Sequence, residues 1–199
     1  MKKYQIIYAD PPWSYQDTQK SGGTAFFGAS VRYNTMKNKD ILSLPISELA
    51  DKDSVLFMWA TSPLLPEALE TIKAWGFKFK TIAFVWNKQT KNNINISNMG
   101  RWTMGNVEIV LLGVKGKPKR IIKNIKQLVI AERKRHSEKP QEVRDRIVSL
   151  MGDLPRIELF ARQKTEGWDV WGNEVESDIT FPSLDTLTEY RDYLLGLNK

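Results

Sequence analysis

Six short runs rich in apolar and β-branched residues constrain this chain more than anything else in it; they occupy residues 4–9, 54–60, 81–86, 107–114, 127–131 and 156–161. Each has the length of a strand, and their apolar character is continuous rather than alternating, the pattern of strands buried on both faces. Between the second and third runs, Ser62 and Pro63 supply an N-cap and a first-turn proline. Leu65, Leu69, Ile72 and Trp75 follow at helical spacing, and Gly76 closes the helix. A second helix opens at Pro140, turns Val143, Ile147, Leu150 and Met151 to one side, and stops at Gly152 and Pro155. Strands alternating with helices predict an α/β sheet. The 199 residues, 41% of them apolar, fit a single domain over residues 1–199, ending in a helix over residues 183–195.

Several function classes are excluded or disfavoured. No apolar run approaches the roughly 20 residues of a membrane span, and Met1-Lys2-Lys3 leads into no signal-peptide core. The expected location is the cytoplasm, with no membrane partner. The absence of Cys removes disulfide and thiolate chemistry, and a single His argues against an imidazole zinc site, so no metal is expected.

The net charge of +7 has one source. Residues 115–146 hold 12 Lys and Arg against 4 Asp and Glu, while the remainder has 18 against 19. Such a stretch attracts a polyanion and makes salt-sensitive phosphate contacts, so nucleic acid is the expected partner; the alternative is a solvated Lys-rich face.

The first apolar run passes directly into Asp10-Pro11-Pro12-Trp13, at the carboxyl end of a strand, where ligands bind in open α/β sheets. The prolines fix φ and remove two N–H donors, leaving carbonyl oxygens without competing backbone donors. An amine with two N–H donors, such as adenine N6, suits the Asp10 carboxylate and the Pro11 carbonyl. Trp13 offers a flat face to a base taken out of its stack. The alternative is a plain tight turn. Residues 16–36 and 88–105 are polar and glycine-bearing and read as loops facing the substrate, the second carrying Arg101 and Trp102; ordinary surface connections are the alternative.

Seven blocks, in order, resemble the MT-A70 family of N6-adenine methyltransferases over most of the chain. They are Ala9-Asp10-Pro11-Pro12-Trp13, Arg32-Tyr33-Asn34-Thr35-Met36, Leu56-Phe57-Met58-Trp59-Ala60-Thr61, Gly113-Val114-Lys115-Gly116, His136-Ser137-Glu138-Lys139-Pro140, Ile157-Glu158-Leu159-Phe160-Ala161-Arg162 and Gly167-Trp168-Asp169-Val170-Trp171-Gly172-Asn173-Glu174. The resemblance implies a Rossmann-like methyltransferase fold: a mostly parallel central sheet with helices on both faces, permuted so that the catalytic turn precedes the cofactor-binding strand. It also implies methyl transfer from S-adenosylmethionine to adenine N6.

By matching positions, Asp10, Pro11, Pro12 and Trp13 are the catalytic turn, and Lys139 pairs with the methionine carboxylate of the cofactor. Asp10 also reaches the methionine amino group, Arg162 lies near the ribose, Asn173 and Glu174 contact the adenine, and Ala9 and Phe160 complete the cofactor set. Tyr33 and Trp59 match aromatic positions by the substrate, with core packing as the alternative for Trp59; Trp168 and Trp171 read as packing residues. Gln163-Lys164-Thr165 and Glu174 depart from the eukaryotic messenger-RNA enzymes and turn the reading toward DNA. RNA methylation and a non-catalytic nucleic-acid-binding subunit are the alternatives, and a homodimer or heterodimer is compatible with all of these.

Overall fold

The computed structural model describes residues 2–14, 35–97, 102–134 and 138–181. Most of the 16–36 loop, part of the 88–105 loop, His136 and the helix expected over residues 183–195 lie outside the described residues, as do Tyr33 and Arg101.

Seven strands form one sheet: β1 Tyr4–Ala9, β2 Ala50–Ala60, β3 Lys78–Gln89, β4 Val107–Lys115, β5 Leu128–Glu132, β6 Arg156–Leu159 and β7 Asp169–Trp171. Their order is β5-β3-β4-β2-β1-β6-β7. All run the same way except β4, which is antiparallel to both β2 and β3. Strand β1 is central, with Ile7 paired to Leu56 on one side and Ile157 on the other. Its unbroken apolar sequence follows from that position. Ile7 and Ala9 pack into the core on one face and Ile6 and Tyr8 into the core on the other.

Helices cover both faces. On one lie α1 Asn38–Ser43, α2 Ile46–Leu49 and α3 Leu65–Ala74, which insert Ile41, Leu49 and Ile72 beside Ile7 and Leu56. On the other, α4 Gln141–Met151 inserts Val143, Ile147 and Met151 beside Ile6 and Phe57. None of these helices is long and apolar enough to cross a membrane.

Several expectations need correction. The chain enters α3 through a 3-10 turn, Ser62–Leu64, and no Ser62 side-chain cap forms. Leu69 is exposed; the buried stripe is Ala68, Thr71, Ile72 and Trp75. The helix ends at Gly76 (φ +82°), with Phe77 N–H returning to Ile72 O at 3.0 Å. Burial on both faces fails at β5, where Val129 is buried on one face while Leu128 and Ile130 are exposed on the other. The loop expected from residue 88 begins as regular structure: β3 runs on to Gln89 and Asn95 bridges back to it.

One buried ion pair joins α4 to the sheet. Arg144 donates from Nε to Glu158 Oε2 at 2.8 Å and from Nη2 to Oε1 at 2.6 Å, with its guanidinium 5.3 Å from the Tyr8 ring centre. Breaking such a pair from one side strands a charge in the core. Arg144→Met is expected to cost about 3–5 kcal/mol of unfolding free energy, and adding Glu158→Leu to recover most of it. Urea denaturation of the single and double variants checks this; equal losses in both would contradict it.

Candidate active site

Strand β1 hydrogen-bonds as far as Asp10, whose N–H meets Leu159 O at 3.4 Å, and the prolines then end the ladder. The turn folds on itself: Trp13 N–H donates to Pro11 O at 2.8 Å and Met36 N–H to Pro12 O at 2.9 Å. The carbonyls therefore do have backbone donors, contrary to the sequence expectation. Each keeps a second lone pair. Trp13 is 5% exposed and its indole N–H donates to Trp59 O at 3.2 Å, so the ring forms the floor of the turn and presents no open stacking face.

Asp10 is 25% and Lys139 11% exposed at the side chain, and their Oδ2 and Nζ atoms are 2.8 Å apart. Lys139 stands just before α4, and its Nζ also lies 3.4 Å from Glu108 Oε2 and 5.3 Å from the Trp59 ring centre. Glu108 Oε1 in turn accepts from Lys88 Nζ at 2.5 Å. Four charges alternate in sign across the carboxyl edge of the sheet. Among the described residues the ion pair engages Asp10 through Oδ2.

Burial alone would discharge a lysine. Here the Asp10 and Glu108 carboxylates outweigh it and hold the Lys139 ammonium firmly charged, above the usual lysine range. Burial pushes the Asp10 carboxyl above its ordinary value against the pull of Lys139. At Glu108 burial acts in the same upward direction, but Lys139 and Lys88 overcome it and hold the carboxyl below its usual range.

Below this network the aromatic core is closed. Trp59 is 1% exposed; its N–H donates to Tyr8 Oη at 2.6 Å and its ring meets Trp86 edge-on. Of the two sequence readings for Trp59, substrate contact and core packing, burial favours the second: its indole supports Lys139 from beneath. Trp102 is the opposite case, 97% exposed in the connection between β3 and β4.

The remaining expected residues gather beyond β6 and β7. Phe160 takes a left-handed conformation (φ +60°), uncommon for a bulky side chain, and its ring packs between Trp75 and Trp171. The chain then passes close to the turn after β7, where Ala161 N–H donates to Trp171 O at 2.9 Å. A Cβ at Gly172 would stand 2.2 Å from Ala161 O, so only glycine fits there. Just outside, Arg162 Nε meets Glu174 Oε1 at 2.8 Å, with both side chains half-exposed and Asn173 beside them.

Ala9, Asp10, Lys139, Phe160, Arg162, Asn173 and Glu174 thus all follow or end strands at the carboxyl edge or stand beside one that does. A family model described as MT-A70 matches residues 4–174. The chain belongs to the MT-A70 family. A relative named Type II methyltransferase M.MunI, from a Mycoplasma species, is 39% identical over 94% of this chain and 85% of its own length. The catalytic subunit METTL3 of the human N(6)-adenosine-methyltransferase is 28% identical over 87% of this chain, which spans only 28% of that protein. An Arabidopsis thaliana MT-A70-like N(6)-adenosine-methyltransferase is 27% identical, and this chain spans 24% of it.

Sequence reasoning missed Glu108 and Lys88. Their signal was there: a lone acid inside the apolar run of residues 107–114, and a lysine two residues after the buried Trp86. Because its folded-state pKa is lowered, Glu108 contributes stability that is complete above the ordinary carboxylate range and is lost as pH falls through the lowered value. Glu108→Gln should therefore destabilise the protein at neutral pH, with the gap to wild type closing in acid. Urea unfolding across the acid range measures this; a gap independent of pH would contradict it.

Proposed function

We propose that this protein transfers a methyl group from S-adenosylmethionine to the N6 amine of adenine in DNA. The observation that carries the reading is the Asp10 carboxylate at the end of β1, ion-paired to Lys139 at 2.8 Å and beside the carbonyls of two prolines. Membership of the MT-A70 family supports the chemistry. The likeness to the Mycoplasma Type II methyltransferase, over most of both chains, favours DNA over RNA. A non-catalytic subunit would need neither the intact acceptor turn nor the charged set around Lys139.

The donor groups at the edge suit the cofactor. Lys139 and the first-turn N–H groups of α4, which lack a side-chain cap, fit the methionine carboxylate, and Asp10 fits its amino group. The half-exposed Arg162 and Glu174 suit the ribose and, with Asn173, the adenine, while Ala9 and Phe160 form the wall between. Bound there, the cofactor supplies an electrophilic methyl on a sulfonium sulfur.

The chain's own task is orientation. Asp10 and the Pro11 carbonyl each accept one N–H of the target amine, which draws its nitrogen toward sp³ geometry and aligns the lone pair. Pro12 stiffens the turn, and Trp13 fixes its floor. Asp10, whose proton affinity burial raises, is the nearest base for the proton that the nitrogen must lose. The exposed Trp102 suits stacking on a base, and Arg101 and Tyr33 are further proposed substrate contacts.

The reading carries its architecture with it: one methyltransferase domain over residues 1–199, permuted, with the cofactor strand β6 late in the chain yet beside β1 in the sheet. A cytoplasmic location accords with a DNA substrate, and assembly as a homodimer or heterodimer is compatible with it.

Transfer of labelled methyl from S-adenosylmethionine to DNA and RNA oligomers tests the proposal. Transfer to DNA is expected and Asp10→Ala should abolish it; cofactor binding without transfer to either polymer would sink the reading. Lys139→Ala should weaken cofactor binding more than nucleic-acid binding, and equal losses in calorimetric titrations would count against its carboxylate role.

A further inference from the structure

The basic segment of residues 115–146 does not form one surface. Lys139 and Arg144 are held in buried ion pairs, and Arg146 bonds Glu142 and the carbonyls of Lys126 and Leu128. Among the described residues, the exposed cations that remain fall at opposite ends of the sheet. Arg133 and Lys134 follow β5 at the carboxyl edge, where Arg133 N–H meets Gln89 O at 2.9 Å, on the side of Asp10.

Lys117, Lys119, Arg120 and Lys123 follow β4. Because β4 is antiparallel, it ends at the amino edge, with Lys115 opposite Ser54. Asp10 follows Ala9, which pairs with Met58, so the two ends lie roughly 17 Å apart along the sheet, five strand residues at about 3.4 Å each.

This far loop is built rather than loose. Gly116 turns the chain at φ +65°, where a Cβ would stand 2.1 Å from Lys52 O. Lys117 N–H donates to Asp53 Oδ1 at 2.6 Å, Ile121 N–H to Leu150 O at 2.8 Å, and Gln127 Nε2 to Ile82 O at 2.7 Å. Ile125 packs into the core. The nearby acids are already engaged, Asp53 by that N–H and Asp153 by Arg156. Lys117, Lys119, Arg120 and Lys123 are exposed and form no ion pair among the described residues. Four exposed cations within residues 117–123, on a backbone anchored to the sheet and to α4, suit a polymer of regularly spaced phosphates, which gives up its counterions on contact.

We propose that the loop after β4, through Lys117, Lys119, Arg120 and Lys123, is a second nucleic-acid contact that grips backbone phosphates of a DNA stretch remote from the target adenine. This rests on the reading of the chain as a nucleic-acid methyltransferase. A duplex that ends within roughly 17 Å of the target adenine does not reach the loop; a longer one can.

The test uses the whole chain and two duplexes with the target adenine at the centre, one of about 8 and one of about 40 base pairs: at about 3.4 Å per pair the short one reaches roughly 14 Å from the adenine, less than the roughly 17 Å to the loop, and the long one reaches past it. The quadruple variant Lys117→Gln/Lys119→Gln/Arg120→Gln/Lys123→Gln alters only exposed side chains. Wild type should show a steeper salt dependence of affinity on the long duplex than on the short one, and the variant should lose about 2–4 of that log–log slope, near 0.9 per phosphate contact. Its methyl transfer to the short duplex should match wild type. An unchanged slope on the long duplex would overturn the proposal, as would a parallel loss of transfer on the short one, which would put the loop at the target site. A slope loss in a protein that methylates neither duplex would leave the loop standing and refute the methyltransferase reading, so the two failures are distinguishable.

Discussion

The charge on Lys139 holds the edge of this sheet together. A buried ammonium is tolerated only if carboxylates surround it, and these come from two strands that flank β2 in the sheet: Asp10 after β1 and Glu108 at the start of β4. The reversed direction of β4 makes this possible. In a parallel β4 residue 108 would begin the strand at the amino edge, far from Asp10; reversed, it begins at the carboxyl edge and faces it. One topological exception within an otherwise parallel sheet thus completes the electrostatics of the site.

Beneath the charges, aromatic side chains make the arrangement rigid. Trp59 carries Lys139 on its face and ties to Tyr8, while Tyr8 lies against the Arg144 guanidinium that binds Glu158 on β6. Helix α4 is thereby fixed at its head by Lys139 and within its first half by Arg144. In the role proposed for Lys139, meeting a cofactor, such support helps, because misplacement by an ångström at a reacting centre is costly.

Much of this was legible in the sequence, for reasons that differ by residue. Strand β1 and the turn at Asp10 were clear because an apolar run ending in Asp-Pro-Pro has few other uses, and Pro140 and Gly152 bracket α4 plainly. Strand β7, with three residues, and the short helices α1 and α2 carry too little periodicity to read. Leu69 fits a helical stripe by spacing, yet the helix turns Ala68 and Thr71 inward instead. Glu108 and the division of the basic segment were hidden for one shared reason: both depend on which way β4 runs, and strand direction is not written in local sequence. Trp59 was ambiguous because an indole suits a core and a substrate pocket equally well.

The central claim is that the turn at Asp10 presents hydrogen-bond acceptors to an adenine amine. Its most direct test is the identity of the modified base: DNA incubated with the protein and S-adenosylmethionine, digested to nucleosides and resolved by mass spectrometry. The account predicts N6-methyldeoxyadenosine, and none from the Asp10→Ala protein. Methyl groups found on cytosine, or on adenine ring nitrogens, would contradict it.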